Sequence, residues 1–417
     1  MPRIFMPIAS AFAPNYTFRD TLIACKFLAP WSRMRLRDGG NIPEFEEKFR
    51  DYMDANKAVS FMSGRSGFYA ILKAMDIKAG DEILLQAFTT VALPNTIKLF
   101  EAKPVFVDIQ EGTYDMDPKK IEAKITDRTR AIIIQHTFGN PSDMDLILPI
   151  AREHGLMTIE DCAHSLGAKY HGEKTGTFAD AAFFSFGRDK VISAVSGGMV
   201  IAKDRKLAEK IEAIRNEMPF PSNEEIKRNL LHPIITFIAL HTYNLFGLGR
   251  LLMHIAFRFD ILDKAYTSGE KKSEPRADFA KRMPNALAAI GLHQMKLLNR
   301  FNSRRIRTAC RYTKNIKTGS VRLPQTLPIS KNIYLWYTVM SAEKKSLIRA
   351  ARKKDIILGD WFPQAIGPIE VNLEKAGYVE GSCPVAEYVS ANCVNLPTHH
   401  NIHKKEAQKV IDFINNF

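Results

Sequence analysis

The sequence predicts an α/β protein: a large domain on a mostly parallel sheet, a smaller C-terminal α/β domain, and an apolar helical insertion between them. Three observations carry this. Short β-branched or apolar runs at 58–61, 82–85, 104–108, 130–135 and 181–186 alternate with helix-periodic stretches across residues 38–218. The alternation then breaks into a segment, 219–276, whose middle (230–249) carries no formal charge. A long amphipathic helix, a strand and two more helices follow in 277–417. With 417 residues, 46% of them hydrophobic and 25% charged, the chain has ample interior for a core and is not of disordered composition.

Residues 1–37 form an irregular N-terminal segment with one short helix at 19–27. Its start, MPRIFMPIASAFAP, holds a single arginine and an apolar run broken by prolines, a poor match to a signal peptide. Gly39 and Gly40 break the chain before a helix at 43–52, whose acids come early and whose Lys48 and Arg50 come late, as the helix dipole favours. The strand at 58–61 meets Ser63-Gly64-Arg65-Ser66, which opens a helix to about residue 75. Free amides at such a turn make an anion site, although an ordinary cap at Ser63 explains the same residues. The pattern continues with a strand at 82–85, a loop at 86–90 and a helix to about residue 100. A strand at 104–108, a charge-alternating helix at 115–125, a strand at 130–135 and a loop at 136–140 come next. After a helix at 207–217 and the insertion, the small domain consists of helix 285–311, strand 333–340 and helices 344–353 and 404–417.

The chemistry concentrates between Ile159 and Gly198. One apolar strand ends in Glu160-Asp161, and Lys190 follows a second strand before the pair Gly197-Gly198. A carboxylate ending one strand and a lysine just past another is what pyridoxal phosphate (PLP) requires. The lysine holds the cofactor as a Schiff base and shuttles the proton, while the carboxylate keeps the pyridine nitrogen protonated. An acidic pair and a lysine are by themselves more often solvated surface; their place between apolar strands and a Gly-Gly turn is what singles them out. Phosphate turn, acid and lysine all follow strands, where parallel sheets gather their functional groups.

Four blocks, GRSGFYAILKAMDIKAGDEILLQAFTT, PVFVDIQEGTYDMDPKKIEAKITDRTRAIIIQHTFGNPSDMD, IEDCAHSLGAKYHGEKTG and FFSFGRDKVISAVSGG, resemble in order and spacing the DegT/StrS-type sugar aminotransferases. RMPNALAAIGLHQMKLLNRFNSRR and CPVAEYVSANCVNLPTHHNI are similar to that family as well, so the resemblance spans residues 38–215 and 280–417. It implies a three-layer PLP fold-type I large domain, a homodimer and PLP as cofactor. Carried onto this chain, it implies that Gly64 and Arg65 bind the PLP phosphate through their backbone and that Ser185 joins them. It makes Lys190, Asp161 and His164 the catalytic set, His164 matching a position that holds Gln or His beside the cofactor. The ring-stacking aromatic usually falls where Thr90 stands; Phe88 is the aromatic available and is assigned that role. The plain alternatives are a core histidine, a strand serine and loop packing. At Ala280 the family usually carries an asparagine that reaches the partner subunit's phosphate site, which puts that contact in doubt. His399 and His400 match an LP-x-H turn and are read as a substrate-side loop; no metal is expected.

The implied reaction moves an amino group from glutamate to a keto-sugar, nucleotide-linked, for cell-surface polysaccharide or glycolipid synthesis. Related dehydratases carry histidine in place of the lysine, so Lys190 argues against that chemistry. Two alternatives stand beside it: the same chemistry on a lipid-linked sugar, or a catalytically divergent binding or regulatory protein.

Composition adds context. Five cysteines without metal-ligand spacing favour free thiols and a cytoplasmic setting. The net charge of +14 is concentrated between residues 276 and 354, with about nineteen Lys or Arg against about two acids. Such a stretch suits anionic partners, but no nucleic-acid recognition motif accompanies it. The uncharged run in the insertion holds Pro233, two histidines and two glycines, which disfavours a membrane span. Its flanking basic residues suit helices lying in a membrane interface through 222–262, at the inner membrane face; a helical lid or dimer contact is the equal alternative.

Overall fold

A computed structural model describes residues 6–10, 15–259, 261–262, 268–274, 276–317 and 319–417; the remaining parts of the N-terminal run and of the insertion lie outside the described residues. Seven strands form the central sheet: β1 (Ala58–Phe61), β2 (Glu82–Gln86), β3 (Lys103–Val107), β4 (Thr129–Gln135), β5 (Met157–Asp161), β6 (Ala181–Ser185) and β7 (Gly198–Ala202). Their order is β1-β7-β6-β5-β4-β2-β3, parallel except for β7, which runs antiparallel to both β1 and β6. The strands read as continuous apolar runs because both sheet faces are covered. Ile83, Leu85, Ile133 and Ile159 enter one core, while Leu84, Ile132 and Ile134 enter another on the opposite face. Alternate residues of one strand thus serve two layers, and the domain has three.

The helices, in chain order, are α1 (Phe18–Leu28), α2 (Asn41–Met53), α3 (Gly64–Ala74), α4 (Ala92–Lys98), α5 (Met144–Glu153), α6 (Arg205–Glu217), α7 (Asn223–His241), α8 (Leu248–Arg258) and α9 (Asn285–Asn315). The small domain adds β8 (Tyr337–Met340), α10 (Lys344–Arg352), α11 (Pro384–Asn392), β9 (Cys393–Leu396) and α12 (Lys404–Asn415). Strands β8 and β9 pair antiparallel over a separate core containing Tyr312, Leu347, Val394 and Val410.

The structure corrects four expectations. Residues 115–125 form two single 3-10 turns, Pro118–Lys120 and Glu122–Lys124, and no α-helix. The buried Asp115 carboxylate accepts from Thr137 N (2.9 Å) and Asn140 Nδ2 (3.0 Å), and this anchorage outweighs the helical charge pattern. The strand expected over 333–340 shrinks to β8, because Ile333 N and Leu335 N bond Gly139 O and Phe138 O. The N-terminal segment is not wholly irregular: Ile8–Ala9 pairs in parallel with Ile356–Ile357 of the small domain. The basic stretch, whose plain reading is a solvated charged face, is not all solvated, since Arg305 and Lys344 are buried.

The insertion is helical. Helix α7 lays Ile226, Leu230, Pro233 and Ala239 inward and packs along α1. Helix α8 crosses α7 at Gly249, where an added Cβ would stand 2.0 Å from Ala239 O. Leu248, Leu251, Ile255 and Phe259, spaced as one helical face, remain exposed. No helix among the described residues is long and apolar enough to cross a membrane.

Candidate active site

A cavity of about 860 Å³ opens at the carboxyl ends of β5 and β6. Register alone brings the two key strands together: Phe183 of β6 pairs with Asp161 of β5, so the acid and the turn after β6 face one space. Gly64, Arg65, Asp161, Ser185 and Lys190 all line this cavity, although up to 126 residues separate Gly64 from Lys190 in sequence (190 − 64).

The turn between β1 and α3 is shaped by close packing. Ser63 caps α3, its Oγ accepting from Ser66 N at 3.1 Å. A Cβ on Gly64 would stand 3.1 Å from Ser185 Cβ, so turn and strand end form one cradle. A Cβ on Gly198 would fall 2.4 Å from the Ser63 carbonyl and 2.6 Å from Gly64 N. That is the physical need for the second glycine of the Gly-Gly pair: β7 passes too close beneath the turn for any side chain. Arg65 forms an ion pair with Glu270 and lies 5.6 Å from the Phe279 ring.

Burial pushes the Asp161 carboxyl upward, while the Ala163 amide (2.9 Å to Oδ1) and the Lys190 charge pull it back. Lys190 is half-buried by surface, yet the protein around it desolvates the amine and pushes it down to about 8 despite Asp161 and Asp189. A lysine near neutrality facing a buried carboxylate is a nucleophile and proton carrier in one group. His164 is buried and held neutral, first by desolvation and then by the Lys190 charge. It stacks on Phe138 (centroids 5.8 Å), meets Trp336 edge-on at 5.5 Å, and its Nδ1 has no hydrogen-bond partner among the described residues. It stands behind the cavity wall and is not itself part of the lining.

Three assigned residues lie elsewhere. Phe88 is fully buried, packed on Phe362 (5.2 Å) and Phe138 (5.7 Å), and does not reach the cavity; Thr90 does. A φ of 65° at Phe88 turns its side chain into the core and leaves the next outward position to Thr90. His399 gives Nε2 to Ala9 O (2.8 Å) and His400 stacks on Phe301 at 4.3 Å, so neither faces the cavity. The buried trio His136, Glu160 and Cys162 is not a free ligand set. His136 Nδ1 accepts from Ser142 N, which sets Nε2–H to donate to Glu160, and Glu160 also accepts three backbone amides.

Other wall residues carried no local signal. Arg188 and Asp189 come from the lysine loop, Glu225, Arg228 and Asn229 from α7, and Trp336 and Trp361 from the small domain, their indoles stacked at 4.7 Å. Phe279 and Lys281 flank Ala280 on the wall, and Lys281 pairs with Glu225 at 2.7 Å. The donor set fits PLP. It offers a tight glycine cradle, a buried acid for the pyridinium and a lowered lysine amine.

The sequence profile of the DegT/DnrJ/EryC1/StrS aminotransferase family matches residues 30–229 and 257–415, breaking only within the α7–α8 insertion. GDP-perosamine synthase of Caulobacter vibrioides is 30% identical over 376 residues, 89% of each chain. A dTDP-3-amino-3,6-dideoxy-alpha-D-galactopyranose transaminase of Aneurinibacillus thermoaerophilus is 27% identical over 91% of this chain and 90% of its own. In fold, the chain is similar to a DegT DnrJ EryC1 StrS aminotransferase from Brucella abortus (TM-score 0.74, 21% identity, 96% of this chain and 95% of that one). NtdA of Bacillus subtilis, solved with the cofactor PMP bound, superposes with TM-score 0.75 at 20% identity, over 99% of this chain and 85% of that one. The chain belongs to the DegT/DnrJ/EryC1/StrS aminotransferase family and is a PLP-dependent aminotransferase.

Proposed function

We propose that this enzyme takes the amino group of glutamate and delivers it to a keto-sugar carried on a nucleotide, for cell-surface polysaccharide or glycolipid synthesis. The observation that carries the reading is the shared cavity of Asp161, at the end of β5, and Lys190, in the loop after the adjacent β6, open to solvent-borne substrates. The names of the relatives, GDP- and dTDP-sugar enzymes, support the nucleotide carrier. When bound, PLP supplies the electron sink for the carbanion chemistry. Asp161 holds the proton on the pyridine nitrogen, while Gly64, Arg65 and Ser185 hold the phosphate. His164, neutral, offers Nδ1 from behind the wall. Lys190 Nζ carries the proton between substrate atoms, a task suited to an amine lowered to about 8. Arg188 and Arg228 on the wall suit the carboxylates of glutamate and the phosphates of the acceptor. The enzyme works in the cytoplasm as a homodimer, and light scattering on the purified protein tests the dimer. The decisive experiment is an absorption spectrum of wild type and Lys190→Ala with PLP, before and after glutamate. A visible band of lysine-bound cofactor, discharged by glutamate and missing in the variant, supports transamination; a band that glutamate never discharges overturns it.

One observation favours peripheral contact with the inner membrane face through 222–262. Phe246 is 95% exposed and Phe259 70%, on a helix pair with no acidic residue between 229 and 259 and with Arg250 and Arg258 alongside. Arg250 also pairs with Asp355 at 3.4 Å, so the cation ring is partly neutralised, but an apolar face edged by arginines suits an anionic bilayer. Deleting residues 222–270 is expected to abolish flotation with phosphatidylglycerol vesicles. Full-length protein that ignores those vesicles ends this reading.

A further inference from the structure

Behind the lysine loop, on the side away from the cavity, lies a fully buried guanidinium. Arg305 of α9 donates through one terminal nitrogen to Val191 O (2.7 Å) and to Asn15 Oδ1 (3.0 Å). The amide of Asn15 in turn donates to the carbonyls of Lys190 and Val191. The other terminal nitrogen of Arg305 holds Asn302 Oδ1 (3.0 Å), and Asn302 Nδ2 donates to Leu166 O (2.9 Å), in the turn that follows Asp161 and His164. Gly167 makes room for this, since a Cβ there would stand 2.6 Å from Asn302 Nδ2. Farther along the same helix, Gln294 accepts from Ser193 N and donates to Asn15 O. One face of α9 therefore grips the segment that follows the acid and the segment that carries the lysine. No carboxylate among the described residues pairs with Arg305, and burial pushes its pKa down to about 9, so it remains charged at neutral pH. A cation buried without an acid is unfavourable for stability alone. Here one of its bonds reaches Val191 O directly, while the other two reach the Lys190, Val191 and Leu166 carbonyls through the amides of Asn15 and Asn302.

We infer that Arg305 and Asn15 are positioning residues that clamp the Lys190 and Val191 carbonyls and fix the line along which Lys190 Nζ meets the cofactor and Asp161. The inference rests on Lys190 being the cofactor lysine. It places the control of lysine geometry in the N-terminal segment and in the helix leading to the small domain, whose described residues do not line the cavity. Small errors in such a line cost rate without costing substrate affinity.

The test uses the full-length holoprotein and the variants Asn15→Ala, Arg305→Met and Arg305→Lys. The readouts are the pH titration of the visible cofactor band, and kcat and KM for glutamate, alongside thermal unfolding. Asn15→Ala and Arg305→Met are expected to displace the pH midpoint of the band and to lower kcat by about tenfold or more, with KM within about threefold. Arg305→Lys, which keeps the charge but loses the fork, is expected to recover part of the rate. Variants that unfold at lower temperature yet keep the wild-type titration and kcat overturn the clamp and leave a structural role. Should Arg305→Met fail to fold, Asn15→Ala decides alone by the same two readouts. A wild type without the band overturns the cofactor reading and the clamp with it; a wild-type band unchanged in the variants overturns the clamp only.

Discussion

Lys190 shows how a single residue acquires its chemistry from its surroundings. Desolvation lowers its amine to about 8, against the opposite pull of Asp161 and Asp189. The neutral amine is the nucleophile, so its fraction at pH 7 is roughly a tenth and at pH 8 about a half. Capture of PLP by the cofactor-free protein is therefore expected to accelerate as pH rises from 7 to 9 and to level off beyond, as followed by stopped-flow absorbance. A rate already flat at pH 7 would mean a lower amine pKa than the burial implies. Phe88 illustrates the opposite case, a residue whose type suggested stacking and whose backbone decided otherwise. Fully buried among Phe138, Tyr114 and Phe362, it is expected to cost about 3–5 kcal/mol when changed to alanine, read by denaturant unfolding, with the cofactor band unmoved. A displaced band at unchanged stability would return Phe88 to the cofactor.

At the scale of elements, the insertion shapes the site by its two ends. The first turns of α7 supply Glu225, Arg228 and Asn229 to the cavity wall, and Leu262, beyond α8, supplies another part of it. The crossing of the two helices depends on Gly249, where a Cβ would strike the backbone of Ala239 and Tyr243. Backbone cannot yield as a flexible side chain can. Gly249→Ala is accordingly expected to destabilise the protein by about 1–3 kcal/mol, measured by thermal unfolding. An unchanged midpoint would show that α8 slides on α7 without loss. Helix α9 is the second such element: its 31 residues run from the large domain into the core of the small one. Its amphipathic period was plain in the sequence. That the polar residues among its buried positions hold the lysine loop was not, because Asn15 and Arg305 are 290 residues apart.

In the whole molecule, the cavity lies where the two domains meet, with Trp336 and Trp361 facing Asp161 and Lys190 across it. The N-terminal segment ties the domains from behind: Ile8–Ala9 joins the strand at Ile356–Ile357, and Trp336 Nε1 donates to Ser10 O (2.9 Å). A ligand held between domains stabilises both. Saturating PLP, at a hundredfold excess over Kd, is expected to add about 2.7 kcal/mol and raise the unfolding midpoint, with a smaller rise for Lys190→Ala. Equal rises would mean that the phosphate cradle, and not the lysine, supplies the binding energy.

The sequence by itself determined six of the seven strands of the central sheet, the glycine turn before α3, and the positions of Asp161 at the end of β5 and Lys190 after β6; β7 was not among them. Each of these is written in a short local run: apolar residues for a strand buried on both faces, small residues where backbones approach, a charged residue at the strand's end. Ser63, Gly64, Asp161, Lys190 and Gly198 were legible for that reason, whereas Ser185 was singled out only through the family resemblance. The tertiary structure alone decided which aromatic stays in the core, that residues 115–125 serve as an anchor and not as a helix, and that α7 walls the cavity. It alone decided that Arg305, one of many basic residues in a basic stretch, is buried against the lysine loop. Those outcomes depend on contacts between segments hundreds of residues apart, and on the burial such contacts create, for which local periodicity has no mark.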